Sequence, residues 1–448
     1  MRGDHSSEVS APKLRSDVVA VVGLGKIGLP LAVQYANHGR TVIGCDISAE
    51  VVATINAGKT HNFEEPGIEE EIARLRREER LSATTDTSAG VRQAGVVVVI
   101  VPVMVDERHD VDYRAIISAS QSIGKGLQPG TLVVYETTLP VGTTRELLRK
   151  TLEEASGLVA GRDFYLAYSP ERVSSGVVFR DLATYPKVVG GYNDASGDAA
   201  VAFYSSVLDA RVIRMKSMDD AEFVKLIETT YRDVNIALAN EYASFADAHG
   251  LDAYEAIAAA NTQPYSHIHQ PGVGVGGHCI PVYPYFLIQG AAGDETMLTL
   301  PRRSRVINDQ MADYAADRIE RELGSLAGAH VLLLGVAYRG DVRETAFTSA
   351  RLLREAFTRR GAVIYASDPL YSDADLAALG YMPLPADAAG SIQAIVAQAA
   401  HSAYKDFDLG QFANCRVLLD GRNAFSHEQA EAAGMRYLTI GDGLEAGR

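Results

Sequence analysis

The fold of this chain is decided at residues 17–46, which read DVVAVVGLGKIGLPLAVQYANHGRTVIGCD. A short apolar strand at 17–22 runs into the glycine turn GLGKIG and then into a segment with helical spacing of apolar residues. A second apolar strand, TVIGCD, follows at 41–46. This order of strand, glycine turn, helix and strand predicts a βαβ unit, the context in which a glycine fingerprint becomes specific.

Within that unit, Gly23, Gly25 and Gly28 stand where the backbone has to turn tightly and pass close to a pyrophosphate. Asp46 ends the second strand, where a carboxylate binds a ribose hydroxyl and repels a 2′-phosphate. A tight turn without a ligand is the simpler alternative, but it does not explain the whole arrangement. The sequence therefore predicts a dinucleotide site that prefers NAD to NADP.

The rest of the chain divides by pattern. Further buried parallel strands are predicted at 96–101, 131–135 and 164–168. A long helix begins near residue 218, and helical spacing resumes at 301–325. A new apolar strand opens a second α/β segment near 330. We therefore expect two Rossmann-like α/β domains flanking an all-helical middle domain with a long connecting helix, over residues 1–215, 216–325 and 326–448.

Composition excludes several classes of protein. With 47% hydrophobic and 22% charged residues among 448, the chain is typical of a globular protein rather than a disordered one. A net charge of −15, from 42 Lys and Arg against 57 Asp and Glu, makes it a poor candidate for binding nucleic acid.

Membrane insertion and secretion are also disfavoured. The longest apolar run, Val96–Val105, is about half the length that spans a bilayer. The polar N-terminus lacks the apolar core of a signal peptide. Three cysteines, widely spaced and without a CxxC pair, predict neither a disulfide framework nor a cysteine metal site. We expect a cytoplasmic enzyme without a metal ion.

Cys279 lies at the end of the glycine-rich loop GVGVGGHC. A single cysteine is more often an inert buried residue, but glycines before it leave the thiol on an open loop. Beside a nicotinamide fold, a nucleophile that captures an aldehyde is the better interpretation. By themselves, Lys225 and Glu171 would be an exposed helix charge and a loop charge.

Eight blocks of sequence, in the same order, resemble the UDP-glucose/GDP-mannose dehydrogenase family over nearly the whole chain. They are GLGKIGLPLA (23–32), EEPGIE (64–69), ETTLPVGTT (136–144), YSPERV (168–173), EFVKLIETTYRDVNIALANE (222–241), HQPGVGVGGHCIPV (269–282), VLLLGVAYRGD (331–341) and DGRN (420–423). Within the family, the glycine loop looks most like that of enzymes acting on UDP-N-acetylhexosamines.

The resemblance implies a mechanism. The C6 alcohol of a nucleotide sugar is oxidised to the aldehyde by hydride transfer to NAD, and Cys279 traps the aldehyde as a thiohemiacetal. A second NAD takes a second hydride to give a thioester, which water cleaves to a uronic acid. Lys225 would stabilise the developing oxyanion. Glu171 and Thr138 match positions that place water and act in proton transfer.

The resemblance also implies binding residues and an assembly. NAD would be contacted by Gly23, Gly25, Lys26, Ile27, Gly28, Asp46, Pro102, Val103 and Thr138. The nucleotide sugar, expected to be UDP-linked, would be contacted by Arg172, Lys225, Tyr265, His267, Gly274, Gly276, Tyr338, Arg339 and Arg343. The C-terminal domain would hold the nucleotide. The long helix would be the main contact of a homodimer or higher homo-oligomer.

Five positions depart from the family pattern. Thr229 and Tyr283 stand at catalytic positions where the family has Asn and Asp. Tyr265 and Ala346 each replace an Arg, with Arg343 nearby, and Val103 replaces a Thr near the nicotinamide. Tyrosine has an ordinary pKa near 10, so it is a poor replacement for a carboxylate base. Hydrolysis of the thioester is the step that these changes affect most.

Two alternatives follow from the departures. In the first, the same hydride machinery stops at the aldehyde or returns the hydride in a redox-neutral epimerisation, possibly on a different nucleotide substrate. In the second, the protein is a binding or regulatory subunit without activity, although retention of Cys279 and Lys225 argues against this. A hydroxyacid dehydrogenase does not explain the GGHC loop.

Overall fold

The computed structural model describes residues 14–62, 65–106, 108–291 and 294–444. Glu64, the first residue of the EEPGIE block, and the polar N-terminal residues 1–13 lie outside them. The chain forms two compact units. Unit 1 contains the chain up to Ile227 together with Tyr285–Gly290, and unit 2 contains Glu228–Pro284 together with the chain from Ala291 onward.

Unit 1 is built on an eight-stranded sheet beside a short antiparallel hairpin. The strands are β1 (Val18–Val22), β2 (Thr41–Cys45), β3 (Leu81–Thr84), β4 (Val96–Val99), β5 (Met104–Val105), β6 (Val111–Asp112), β7 (Leu132–Tyr135), β8 (Tyr165–Tyr168), β9 (Lys187–Gly191) and β10 (Val212–Arg214). The sheet has the order β10-β9-β8-β7-β4-β1-β2-β3, and β5 and β6 form the hairpin. Its central order β3-β2-β1-β4-β7-β8 is the doubly wound arrangement of dinucleotide-binding folds. Strand β9 runs antiparallel to β8.

Helices cover this sheet, which explains why β4 (VVVV) and β7 (LVVY) are apolar at every position and wholly buried. The helices of unit 1 are α1 (Gly28–Asn37), α2 (Ala49–Asn56), α3 (Ile68–Arg77), α4 (Thr87–Gln93), α5 (Arg114–Gly126), α6 (Arg149–Ser156), α7 (Val178–Thr184) and α8 (Asp194–Ser205). A π-helical turn, Thr144–Leu148, leads directly into α6.

The middle of the chain contains helices and loops, and no strand among its described residues. The predicted long helix is α9 (Met218–His249), which ends before Gly250, a residue at φ +68°. The boundary between the two units falls within it. It is followed by α10 (Ala253–Ala260), α11 (Tyr283–Gly290) and α12 (Thr299–Leu323).

Unit 2 contains a second sheet of six parallel strands, in the order β13-β12-β11-β14-β15-β16. This is the same winding as in unit 1, so the predicted pair of Rossmann-like sheets and the helical middle segment are confirmed. No helix in the described part of the chain is long and apolar enough to span a membrane. The elements are β11 (His330–Leu334), α13 (Ser349–Arg359), β12 (Val363–Ser367), α14 (Asp373–Ala378), β13 (Met382–Pro383), β14 (Ala394–Ala397), β15 (Val417–Asp420), α15 (His427–Ala432) and β16 (Arg436–Thr439).

Candidate active site

The glycine turn of unit 1 lies between β1 and α1. Gly23 adopts φ +96°, and a Cβ there would lie 2.9 Å from the carbonyl oxygen of Ile100. A Cβ at Gly28 would lie 1.9 Å from the carbonyl oxygen of Gly23. Gly25 is exposed and has no protein atom within 4 Å of its own Cβ position. The fold therefore requires Gly23 and Gly28, while the Cβ position of Gly25 is open at the place where the glycine fingerprint predicts a pyrophosphate.

Asp46 lies beside this turn at the end of β2. Its Oδ2 accepts a hydrogen bond from the backbone N–H of Leu24 at 2.8 Å, and its Oδ1 accepts one from Ser48 at 2.9 Å. The side chain is partly exposed, so it has acceptor capacity left for a ribose hydroxyl. The carbonyl of Lys26 accepts from the amide of Asn62 at 3.0 Å. No motif in the sequence pointed to Asn62.

The remaining predicted NAD contacts are placed at the same turn or after later strands. Ile27 precedes α1 and is partly buried. Pro102 is exposed and Val103 is buried, and both follow β4. Thr138 is buried in the segment that follows β7. Since the carboxyl ends of parallel strands meet at one edge of a sheet, these residues share the edge that carries the glycine turn.

Glu171 and Lys225 lie close together in unit 1. The Oε1 of Glu171 accepts from the backbone N–H groups of Arg172 at 2.6 Å and Val173 at 2.7 Å. Burial by itself would raise the pKa of Glu171, but the positive charges of Lys187 and Lys225 and the hydrogen bonds hold that pKa below its ordinary value. Arg172 donates to the carbonyl of Pro186 at 3.2 Å. Glu171 is therefore a fixed carboxylate beside the predicted catalytic lysine.

Two buried carboxylates of unit 1 were not predicted as site residues, although both lie inside blocks that resemble the family. Glu136 opens ETTLPVGTT and is completely buried. Glu222 opens the block that contains Lys225, and it accepts from the N–H of Gly142 at 2.5 Å and from the N–H and hydroxyl of Thr144 at 2.9 and 2.6 Å. Burial raises the pKa of Glu222 to about 7, against the effect of those donors. Glu222 thereby ties α9 to the loop that follows Thr138.

In unit 2 the glycine loop before Cys279 packs tightly against the start of the second sheet. A Cβ at Gly274 would lie 2.8 Å from the Cβ of Ser349, and one at Gly276 would lie 2.7 Å from the Cβ of Tyr338. Gly277, at φ +97°, donates its N–H to the carbonyl of Ala346 at 2.9 Å. Larger residues would push this loop away from the sheet.

Two polar side chains anchor the loop, and neither had a predicted role. Arg422 donates to the carbonyl of Gly274 at 2.6 Å and to that of Gln398 at 3.0 Å. Asn240, completely buried on α9, accepts from the N–H of Gly272 at 2.9 Å. Cys279 itself is a free, partly exposed thiol. The loop that carries the predicted nucleophile is thus tied to unit 2 at two points, and a fixed thiol is what covalent catalysis requires.

The divergent positions of unit 2 differ in their surroundings. Thr229 is completely buried on α9, whereas Tyr265 is 89% exposed. Tyr283 begins α11 and donates its N–H to the carbonyl of Cys279 at 2.9 Å. His267, a predicted substrate contact that is not one of the divergent positions, has an exposed side chain, and its backbone carbonyl accepts a hydrogen bond from the side chain of Asn235 at 2.6 Å.

The predicted nucleotide-binding residues of unit 2 are not equally available. Tyr338 contacts the glycine loop, and the exposed Arg339 places its guanidinium 5.8 Å from the centre of the Tyr338 ring. Arg343 is engaged elsewhere, in an ion pair with Asp375 at 3.0 Å and over the ring of Tyr371. A substrate contact from Arg343 in place of the missing arginine at Ala346 stays a prediction, as do the roles of the other site residues.

Comparison with known families matches three models, which together cover most of the chain. All three describe the UDP-glucose/GDP-mannose dehydrogenase family: its NAD binding domain matches residues 17–208, its central domain residues 219–310 and its UDP binding domain residues 332–427.

Individual relatives agree. The chain is 35% identical over 414 residues to a UDP-N-acetyl-D-mannosamine dehydrogenase of Pyrococcus horikoshii, covering 90% of this chain and 95% of the relative. A solved structure of UDP-D-ManNAc dehydrogenase from the same organism superimposes with a TM-score of 0.85 at 32% identity, covering 95% of this chain and 99% of that one. A UDP-glucose dehydrogenase from Pyrobaculum islandicum also gives 0.85, at 25% identity over 95% and 97% of the two chains.

Proposed function

Because the chain belongs to the UDP-glucose/GDP-mannose dehydrogenase family, we propose that its substrate is a UDP-linked N-acetylhexosamine, UDP-N-acetyl-D-mannosamine before others. It is an NAD-dependent oxidoreductase that converts a nucleotide sugar to the uronic acid. The choice of sugar is carried by one observation, the 35% identity to a UDP-N-acetyl-D-mannosamine dehydrogenase over 90% of this chain. The alternative of an oxidation that stops early or reverses is not favoured by these relatives.

The cofactor site of this reaction is the glycine turn of unit 1. Gly25 leaves room for the pyrophosphate, and Asp46 accepts from a ribose hydroxyl while its charge disfavours the 2′-phosphate of NADP. NAD bound there would supply the hydride acceptor for the oxidation at C6.

Cys279 supplies the covalent chemistry in this proposal. Its sulfur adds to the carbonyl carbon of the C6 aldehyde while the thiol proton passes to the carbonyl oxygen, which gives a thiohemiacetal. Loss of a second hydride, for which a second NAD would be the acceptor, gives a thioester, and water cleaves the thioester to the uronic acid and the free thiol. Lys225, buried on α9, stabilises the negative oxygen of these intermediates. The tight glycine loop and its anchors keep the thiol from moving as the carbonyl changes geometry.

The water that cleaves the thioester needs a general base to activate it, and Tyr283 has no carboxylate for this role. Glu171 is the alternative that the contacts support, because it is held as a carboxylate beside Lys225. We assign water activation to Glu171, with Thr138 as a hydroxyl of the same edge of the sheet.

The same proposal includes a homodimer. In unit 2, α9 exposes an apolar stripe at helical spacing, formed by Tyr231, Leu238, Tyr242 and Phe245, each between 40% and 58% exposed. A second copy of this chain is the expected partner. Leu238→Glu should lower the mass measured by light scattering to that of a monomer. Leu379→Glu, at a leucine of equal exposure in unit 2, should leave it unchanged.

The activity is tested by incubating the protein with NAD and UDP-N-acetyl-D-mannosamine, UDP-N-acetyl-D-glucosamine or UDP-glucose, and measuring NADH and product mass. Two NADH per uronic acid, fastest with the mannosamine compound, is the expected result. One NADH per aldehyde would show that the oxidation stops after its first step. Turnover confined to UDP-glucose would refute the N-acetylhexosamine assignment.

A further inference from the structure

Lys187 occupies an unusual place for a lysine, inside unit 1 between two carboxylates. Its side chain is 7% exposed, and its ammonium lies 2.6 Å from the Oε2 of Glu136 and 3.2 Å from the Oε2 of Glu171. Neither the oxidation chemistry nor the cofactor site described above uses it. Burying a lysine charge costs free energy unless the charge is paired, and Lys187 is paired with both carboxylates.

The reversed strand β9 explains how Lys187 reaches this position. Glu136 follows β7 directly, and Glu171 follows β8, so both carboxylates lie at the carboxyl edge of the sheet. Because β9 pairs antiparallel with β8, with Gly190 opposite Tyr168, its first residue lies at that same edge. A parallel β9 would have placed Lys187 at the opposite edge.

Glu136 holds the ammonium from the core side. Its Oε1 accepts from the hydroxyl of Tyr35 at 3.0 Å and from the hydroxyl of Tyr204, so its oxygens are fully engaged. The ammonium also lies 5.1 Å from the centre of the Tyr204 ring. Burial alone would lower the pKa of Lys187, but the two carboxylates raise it above its ordinary value. Lys187 is therefore a fixed cation.

Glu171 receives that cation on the oxygen that its own backbone leaves unused. Backbone N–H groups of the next two residues fill Oε1, and Lys187 reaches Oε2. Lys225 also lies close enough to lower the pKa of Glu171. Lys187 thus lies between Glu136 and Glu171, and Lys225 adds a second positive charge near Glu171. Burial and the nearby Glu171 raise the pKa of Glu136 above its ordinary value, although Lys187 opposes that shift.

We infer that Lys187 is a positioning residue for the oxidation: by pairing with Glu171 from the core side, it fixes that carboxyl group beside Lys225. The inference rests on the proposed function, since it concerns the group to which water activation is assigned. It adds a residue that touches neither substrate nor cofactor and acts only through Glu171.

The test compares Lys187→Met, Lys187→Arg and the double variant Glu136→Gln/Lys187→Met. For each, we would measure the steady-state rate of NADH formation from pH 6 to 9.5, the affinity for NAD, and the Tm. Lys187→Met should lower kcat roughly 10- to 100-fold at pH 7, the scale expected for a misplaced catalytic group. The acidic limb of its pH profile should move upward, because burial then protonates Glu171. Lys187→Arg should restore most of the activity and the wild-type profile.

The double variant covers the case in which Lys187→Met does not fold, because it also removes the carboxylate that would be left unpaired. It should keep NAD affinity while showing the same loss of kcat and the same displaced profile. A double variant with wild-type kcat and profile would overturn the inference and leave Lys187 a structural residue. No NADH from the wild-type protein with any of the UDP-sugars would overturn the proposed function instead, and this inference with it.

Discussion

The two sheets of this molecule share a glycine after the first strand and an aspartate after the second, but the aspartates have different surroundings. In unit 1, Gly23 follows the first strand and donates its N–H to the carbonyl of Cys45 at 2.8 Å. In unit 2, Gly335 donates to Ser367 at the same distance. An aspartate follows the second strand in each case, and it accepts at 2.8 Å from the first residue after the glycine.

The difference lies in what else the aspartate binds. Asp46 is partly exposed and has only backbone N–H partners among the described residues. Asp368 is buried, and His401 occupies the same Oδ2 at 3.2 Å. Although burial favours protonation, His401 and the backbone donors hold the pKa of Asp368 below its ordinary value. One aspartate is available to a ribose, and the other is committed to its own domain.

The turns differ as well. Helix α1 begins at Gly28, five residues after Gly23, whereas α13 begins at Ser349, after a long loop that presents Tyr338 to the glycine segment of Cys279. A shared fold therefore does not mean a shared ligand. The first turn is the proposed cofactor site, and the second supports the loop that carries Cys279.

The largest effect that separates the two units is expected from Cys279→Ala. Removing the thiol should reduce formation of the uronic acid by about a thousandfold or more, because no covalent intermediate can form. Affinity for NAD should be unchanged, since the cofactor turn belongs to unit 1. Isothermal titration with NAD and mass spectrometry of the product would check both. Weakened NAD binding would contradict this division of roles.

Gly25→Ala, in contrast to Cys279→Ala, should weaken the binding of NAD. No protein atom lies near the added methyl group, so the Tm should not change, but the methyl group occupies the space assigned to the pyrophosphate. NAD affinity should fall roughly 10- to 100-fold, on the scale of about 1.4 to 2.8 kcal/mol. Gly390→Ala is the matched control, an equally open and exposed glycine of unit 2. Equal NAD affinity in the two variants would mean that the turn does not bind the cofactor.

The paired variants Asp46→Asn and Asp368→Asn test the comparison directly. Asp46→Asn should weaken NAD binding about tenfold and improve NADP relative to NAD, with little change in Tm. Asp368→Asn should leave NAD binding alone and destabilise unit 2 by about 2 kcal/mol, because a buried His401 loses its charged partner. Cofactor titrations and thermal unfolding would distinguish them. An exchange of the two phenotypes would show that the aspartates have been assigned the wrong way round.

The two units are also expected to differ in the pH dependence of their stability. Since the folded-state pKa of Glu222 is about 7, above its ordinary 4.5, the folded protein holds this proton more tightly than the unfolded chain. Its contribution to stability is complete below pH 4.5 and is lost as the pH rises through 7. Asp368 has a lowered pKa, so its contribution is lost only on acidification.

Between pH 5 and 8, the Tm of the wild-type protein should therefore fall relative to that of Glu222→Gln. The corresponding change in the free energy of unfolding is about 1 to 3 kcal/mol. Scanning calorimetry of both proteins at several pH values would measure it. A temperature difference that stays constant over this range would mean that Glu222 is ionised throughout.

Much of the architecture could be predicted because the local spacing of apolar residues and glycines indicates the strands, helices and turns. The run VVAVVGLGKIG sets the first strand and its turn, and the uninterrupted helical spacing up to Gly250 sets α9. The family and its cofactor could be predicted from the eight blocks, and the comparisons confirm them. The second sheet repeats the winding of the first, which a similar strand, helix and strand order indicated.

The two α/β segments, the helical middle, the NAD fingerprint and the family membership all follow from the residue pattern. Which polar side chains meet is visible only in the folded chain. Lys187 and Glu136 are far apart in the chain, and they meet Glu171 because β9 runs backwards beside β8. Arg422 reaches the glycine loop from 148 residues away. Local pattern encodes elements, whereas a charge acquires its partner, and with it its role, only when distant strands pack side by side.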